Sequence, residues 1–216
     1  AEAGGEIAEV THKHPLGFLP ASLLTVLLYK IVPMTAKQVQ DEIDSIVADT
    51  VNVLDRIYKG KYDADKRYLK ELTEKAVRLA HSVISDADAI RQLGEGWVAE
   101  ETWAIALYCA IRHIDSVEDA IIASVNHDGD SDSTGSVCGN IMGAIYGYEH
   151  IKKRNIFCPE GRQLENTLEL SEIILALADD LSTGCIISEY DSIDTPEKRQ
   201  WYERYCEMKP AGIGVK

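Results

Sequence analysis

Apolar residues recur at three- and four-residue spacing along most of the chain, and no segment alternates apolar and polar with a period of two, so the pattern predicts helices throughout. Pro15 and Pro20 bracket a turn, after which Ala21–Ile31 reads as a mostly buried helix ended by Pro33. Thr35 and Gln38 form a capping-box pair for a helix running to about Tyr58, with Ile43, Ile46, Val47, Val51 and Leu54 on one face. Lys59-Gly60-Lys61 stops it. A helix over Asp63–Ser85 follows, with Leu69, Leu72, Ala76, Leu79, Ala80 and Val83 on a stripe opposite its charges. Gly94 and Gly96 mark a loop, Trp97–Arg112 is a strongly apolar helix, and Ser116 with Asp119 caps another that ends near Val125.

Farther on, Gly135, Gly139, Gly143 and Gly147 recur every four residues and make one ridge on a helix. Each glycine costs roughly 1 kcal/mol relative to Ala in a helix interior, so the ridge predicts that another backbone comes close there. Membrane helices share this spacing, but Asn140, Tyr146 and Tyr148 argue against that setting. A polar connection with Pro159 and Gly161 leads to an amphipathic helix over Leu168–Leu181, and Ser188–Lys216 reads as irregular surface. The reading is an all-α fold, one domain over residues 1–216.

Charge narrows the function. A formal net charge of −14 over 216 residues argues against nucleic-acid and anionic-membrane partners, which need clustered Lys and Arg. An anionic ligand would need local positive charge, from a bound divalent metal or from helix N-termini. The five cysteines lie twenty or more residues apart with no Cys-x-x-Cys pair, which predicts reduced thiols and a cytoplasmic protein. No signal-like start is present, and the longest apolar run, Leu23–Val32, is interrupted by Thr25, Tyr29 and Lys30 and is too short to span a bilayer. A soluble protein is expected, and the lack of an initiating Met suggests a processed or excised segment.

Between two of the predicted helices lies His127-Asp128-Gly129-Asp130-Ser131-Asp132-Ser133-Thr134-Gly135, which crowds alternating carboxylates and hydroxyls into a turn. Such a stretch is either a solvated helix cap or a site whose negative charge is neutralised by a cation. Its apolar and glycine-rich flanks place it beside the core, where carboxylates need partners. An EF-hand fails in both registers: counted from Asp128, positions six and twelve are Ser133 and Gly139, and from Asp130 they are Gly135 and Ile141, so no bidentate Glu closes the loop. An oxygen-rich site for Mg²⁺, Mn²⁺ or Ca²⁺ remains, with Asp130, Asp132 and Ser133 converging.

This turn, continued by Gly139-Asn140-Ile141-Met142-Gly143-Ala144-Ile145-Tyr146-Gly147, resembles the C-terminal signature of the ADP-ribosylglycohydrolase family. Thr11-His12-Lys13-His14-Pro15-Leu16-Gly17 resembles that family's Thr-His turn, and Gly94-Glu95-Gly96-Trp97-Val98-Ala99-Glu100-Glu101 its loop and helix before the metal motif. The resemblance runs in order over roughly residues 1–185. It implies a compact, orthogonal multi-helix fold with two divalent ions, usually Mg²⁺ with Mn²⁺ as a substitute, at the base of a cleft. The implied activity is hydrolysis of the glycosidic bond at the anomeric carbon of ADP-ribose. By resemblance, Asp130 and Asp132 are metal carboxylates, with Asp132 the bridge, and Ser133 a hydroxyl ligand. His12, Asp128, Trp97 and Glu100 are the substrate-binding candidates, with Glu101 bordering the cleft.

The resemblance also breaks. The family's Gly-Asp-rich N-terminal motif and its Thr-Asp-Asp ligand set, which precede the Thr-His turn, have no counterpart, and Asp179-Asp180 lies in a different context. The general base is expected in that N-terminal segment. The expectation is a piece of a longer enzyme, a site completed by a second polypeptide, or a degenerate remnant. The competing class is a non-catalytic helical module that binds ADP-ribose or a nucleotide, or is purely structural.

Overall fold

The computed structural model describes residues 1–154, 168–185, 187 and 195–206, and among these there are helices and turns but no strand. Two compact units emerge, residues 1–156 and 157–216. The first contains α1 (Glu2–Glu9), α2 (Pro15–Ile31), α3 (Ala36–Ile57), α4 (Asp63–Ala80), α5 (Asp86–Leu93), α6 (Ala99–Arg112), α7 (Val117–Val125), α8 (Ser131–Tyr146) and α9 (Tyr148–Arg154). The second contains α10 (Ser171–Thr183) and α11 (Pro196–Cys206). No helix among the described residues is long and apolar enough to cross a membrane.

The first unit is built around α6. Every residue from Thr102 to Ile111 is buried, as expected of a helix apolar on all sides. α2, α4, α5, α7 and α8 pack on it. Polar ties fix its rotation: the Trp103 indole N–H donates to Thr73 Oγ1 on α4 at 2.9 Å, and the Tyr108 hydroxyl donates to Asp86 on α5 at 2.6 Å. With the body of α6 locked in this way, its first turn is held as a fixed edge for the site.

Local signals placed several elements where expected. The Thr35–Gln38 capping box starts α3, and Ser116 caps α7 by accepting from the Asp119 amide. Others differ. α2 begins at Pro15, with His14 as its cap, and Pro20 sits inside the helix. Pro15 takes the first helical position, where no N–H partner is needed; the bond lost at Pro20 is offset by burial of Phe18, Leu19 and Leu23 on either side. The helix expected to reach Ser85 ends at Ala80, because the Ser85 hydroxyl accepts from the Asp88 amide and caps α5. Val83, assigned to the core stripe, is therefore on an exposed turn.

Gly135, Gly139 and Gly143 do line up along α8, whereas Gly147 stands just past it as the cap that ends the helix at φ 76°, and the expected close backbone is absent from the ridge. A Cβ on Gly135 would meet the Val125 side chain, one on Gly139 would touch Ile121 at an ordinary 3.7 Å, and one on Gly143 would meet nothing. The close backbone approach occurs instead at Gly129, against Glu95.

In the second unit the expected irregular tail is partly helical, since α11 occupies Pro196–Cys206. Asp180 on α10 holds it, accepting from Trp201 Nε1 at 3.1 Å, Arg204 Nη1 at 3.0 Å and the Tyr205 hydroxyl. Pro159 and Gly161 lie outside the described residues.

Candidate functional site

The acidic turn is held from two directions. Within it, His127 Nδ1 accepts from the Gly129 amide at 3.1 Å, which leaves Nε2 as the protonated nitrogen, 2.9 Å from Thr134 Oγ1 and 3.1 Å from the Ser124 carbonyl. The Thr134 hydroxyl, fully buried, donates to Ser124 O at 2.7 Å. This brace ties the end of α7 to the first turn of α8. Replacing Thr134 with Val keeps the shape and leaves the Ser124 carbonyl its His127 partner but removes the hydroxyl bond, so about 0.5–1.5 kcal/mol of stability should be lost in urea unfolding.

The other hold is the loop before α6. The Asp130 amide donates to the Glu95 carbonyl at 2.8 Å, and Gly129 lies so close to that peptide that a Cβ would collide with its carbonyl. The loop is fixed in turn by α6: Thr102 Oγ1 donates to Gly96 O at 2.7 Å, and Glu101 Oε2 accepts from the amides of Glu95 and Gly96 at 3.0 and 3.1 Å. α6 has no side-chain N-cap at Val98.

These holds fix one wall of a cavity of about 980 Å³. Asp130, Asp132 and Ser133 line it from the first turn of α8, Trp97 and Glu100 from the start of α6, and His12 with Lys13 and His14 from the entry to α2. The first turns of three helices thus open onto one space. Gly17 lets the His12 turn pack on α2, since a Cβ there would stand 2.9 Å from that of His12. The His12 ring is oriented by Thr11 Oγ1, 2.8 Å from Nδ1.

Six expected site residues therefore share one cavity: His12, Trp97, Glu100, Asp130, Asp132 and Ser133. Asp128 is exposed and is not part of that lining. Glu101 is not part of it either, having turned to the loop backbone. Trp97 is 67% exposed on the cavity, and Trp103 is the core tryptophan. Sequence reading missed the work of His127, Thr134 and Glu95; the His–Thr spacing across a helix start was the only local sign.

Electrostatics separate the carboxylates. The Asp132 side chain, followed by the Ser133 hydroxyl and amide, holds the Asp130 carboxyl below the usual carboxylate range. Asp130 also caps α8, accepting from Ser133 N at 3.4 Å. Burial lifts Glu100 above the usual range, with Glu101 adding to the lift and His14 opposing it. Two carboxylates and a hydroxyl crowded together are the hard oxygen donors that a divalent cation takes, and Mg²⁺ commonly binds through one or two carboxylates plus water. Among the described residues, no group of three or more His, Cys, Asp or Glu comes together to hold a metal.

A family model for ADP-ribosylglycohydrolase matches residues 1–187. The chain belongs to the ADP-ribosylglycohydrolase family. Among curated proteins it is similar to ADP-ribosylhydrolase ARH3 of Mus musculus, 25% identical over 160 residues that make up 67% of this chain and 43% of that protein. ARH3 of Homo sapiens is 24% identical over 160 residues, 67% of this chain and 44% of the human protein. The chain thus spans under half the length of these relatives. No solved structure matches it significantly. All six expected site residues in the cavity fall inside the part matched to the ADP-ribosylglycohydrolase family.

Proposed function

We propose that this chain carries the cleft and one side of the metal site of a hydrolase that cuts the glycosidic bond between ADP-ribose and a protein or small-molecule acceptor. The observation that carries the reading is the gathering of Asp130, Asp132 and Ser133 with His12, Trp97 and Glu100 in the lining of one cavity of about 980 Å³. Asp130, Asp132 and Ser133 would hold Mg²⁺ or Mn²⁺, with water, substrate and residues outside this turn completing the coordination, for a total of two ions. Bound there, the divalent ions supply Lewis-acid stabilisation of the charge that develops as the bond to the anomeric carbon breaks.

The chain's own side chains supply the rest. The exposed Trp97 indole offers a flat face for a base or sugar to rest on. His12, oriented by Thr11, presents its free ring nitrogen to a substrate hydroxyl. Burial raises the Glu100 carboxyl above the usual range, so it retains its proton to higher pH than an exposed one. The wide spacing of the cysteines, with no Cys-x-x-Cys pair, is the ground on which a reducing, cytoplasmic setting belongs to this proposal.

The test is release of ADP-ribose from an ADP-ribosylated protein by the full-length protein. EDTA is expected to stop release and Mg²⁺ to restore it. Calorimetric binding of ADP-ribose with no release from any conjugate would replace this reading with the non-catalytic binding module.

A further inference from the structure

Glu101 is outside the lining of the cavity described above, yet its carboxylate is the fixed point of a relay that ends on Asp130. One oxygen, Oε2, accepts from two successive amides, Glu95 N and Gly96 N. Those amides orient the Glu95 peptide, whose carbonyl accepts from the Asp130 amide at 2.8 Å. Gly94 leaves room for the carboxylate: a Cβ there would stand 2.3 Å from Glu101 Cδ. The relay crosses from α6, the most buried helix, to the start of α8, and Gly129 is pressed against the same Glu95 carbonyl.

We propose that Glu101 is a positioning residue that sets the place of Asp130 through the Glu95–Gly96 peptides, and that metal affinity depends on it; the second half of this rests on the hydrolase reading above. A purely structural role is the competing explanation, because a first-turn Glu that bonds amides just outside its helix also stabilises the helix start. The two differ in what moves. A structural cap changes global stability, whereas a positioning residue changes the local protection of the Asp130 amide and the metal requirement.

The experiment uses full-length protein in three forms: parent, Glu101→Ala and Glu101→Gln. The glutamine oxygen can accept both amides as Oε2 does, so Glu101→Gln keeps the relay without the charge. Glu101→Ala is expected to raise the Mn²⁺ dissociation constant, read by titration of the free ion's magnetic resonance signal, by about 10–100-fold, the usual cost of losing a group that orients a metal ligand. It should also speed hydrogen exchange of the Asp130 amide at least about tenfold beyond any change in amides at the centre of α6. Glu101→Gln should stay within about threefold of the parent in both measurements. Unchanged Asp130 exchange in Glu101→Ala, or Glu101→Gln falling as far as Glu101→Ala, overturns the proposal. If the parent binds no Mn²⁺, the hydrolase reading and the metal half of the proposal fall together, and exchange at Asp130 alone decides whether Glu101 positions the turn.

Discussion

Asp132→Ala in the full-length protein should lower Mg²⁺-dependent release of ADP-ribose by on the order of 10²–10³-fold, the loss typical of removing one group that stabilises transition-state charge. The structure explains why folding should be spared. Asp132 is exposed on the cavity, and the cap of α8 belongs to Asp130. The His127–Thr134 brace and the Glu95–Asp130 bond do not involve the Asp132 side chain. Surface substitutions of this kind usually stay within about 0.5 kcal/mol of the parent, so the melting temperature should barely move. Turnover unchanged in Asp132→Ala would remove the metal role from this turn.

The second large effect belongs to Gly129. In Gly129→Ala the new Cβ meets backbone, the Glu95 carbonyl, which cannot swing away as the end of a side chain can. Either the loop before α6 or the acidic turn must shift, and overpacking of this sort costs about 1–3 kcal/mol or more. Asp130 moves with the turn, and a displacement of about 1 Å in a positioned group can cost about 10²-fold in rate. Gly143→Ala is the contrast: it lies in the interior of α8 with nothing near its Cβ, so it should stabilise the protein by about 1 kcal/mol. Thermal melts and turnover of both variants check the pair. Equal behaviour of the two would mean that Gly129 is not pinned against Glu95.

That contrast also shows what the sequence could and could not tell. Thr35 with Gln38, and Ser116 with Asp119, were legible because each acts over three residues. Four glycines in register were equally visible, but whether a neighbour fills the space beside each depends on how α7 lies against α8, which no local pattern records. The same limit explains the tryptophans. Both Trp97 and Trp103 fit an apolar helix by spacing, and the helix start at Ala99 separates an exposed cavity residue from a core one. Asp130, Asp132, Ser133, His12 and Glu100 could be picked by residue type and motif and share a cavity; Asp128 matched the same motif but is exposed and outside that lining. The supports of the site were hidden, because Glu95 and Asp130 meet across a sequence separation that only the packing of α6 and α8 closes.

The cavity that receives the first turns of α2, α6 and α8 belongs to a chain of net charge −14. Each helix start carries about half a positive elementary charge on its free amides. Those helix starts add positive potential to a wall that also carries Asp130, Asp132 and Glu100, and that contribution is a property of the backbone. Side chains around the rim can be exchanged while that backbone contribution stays, because it belongs to the helix starts themselves.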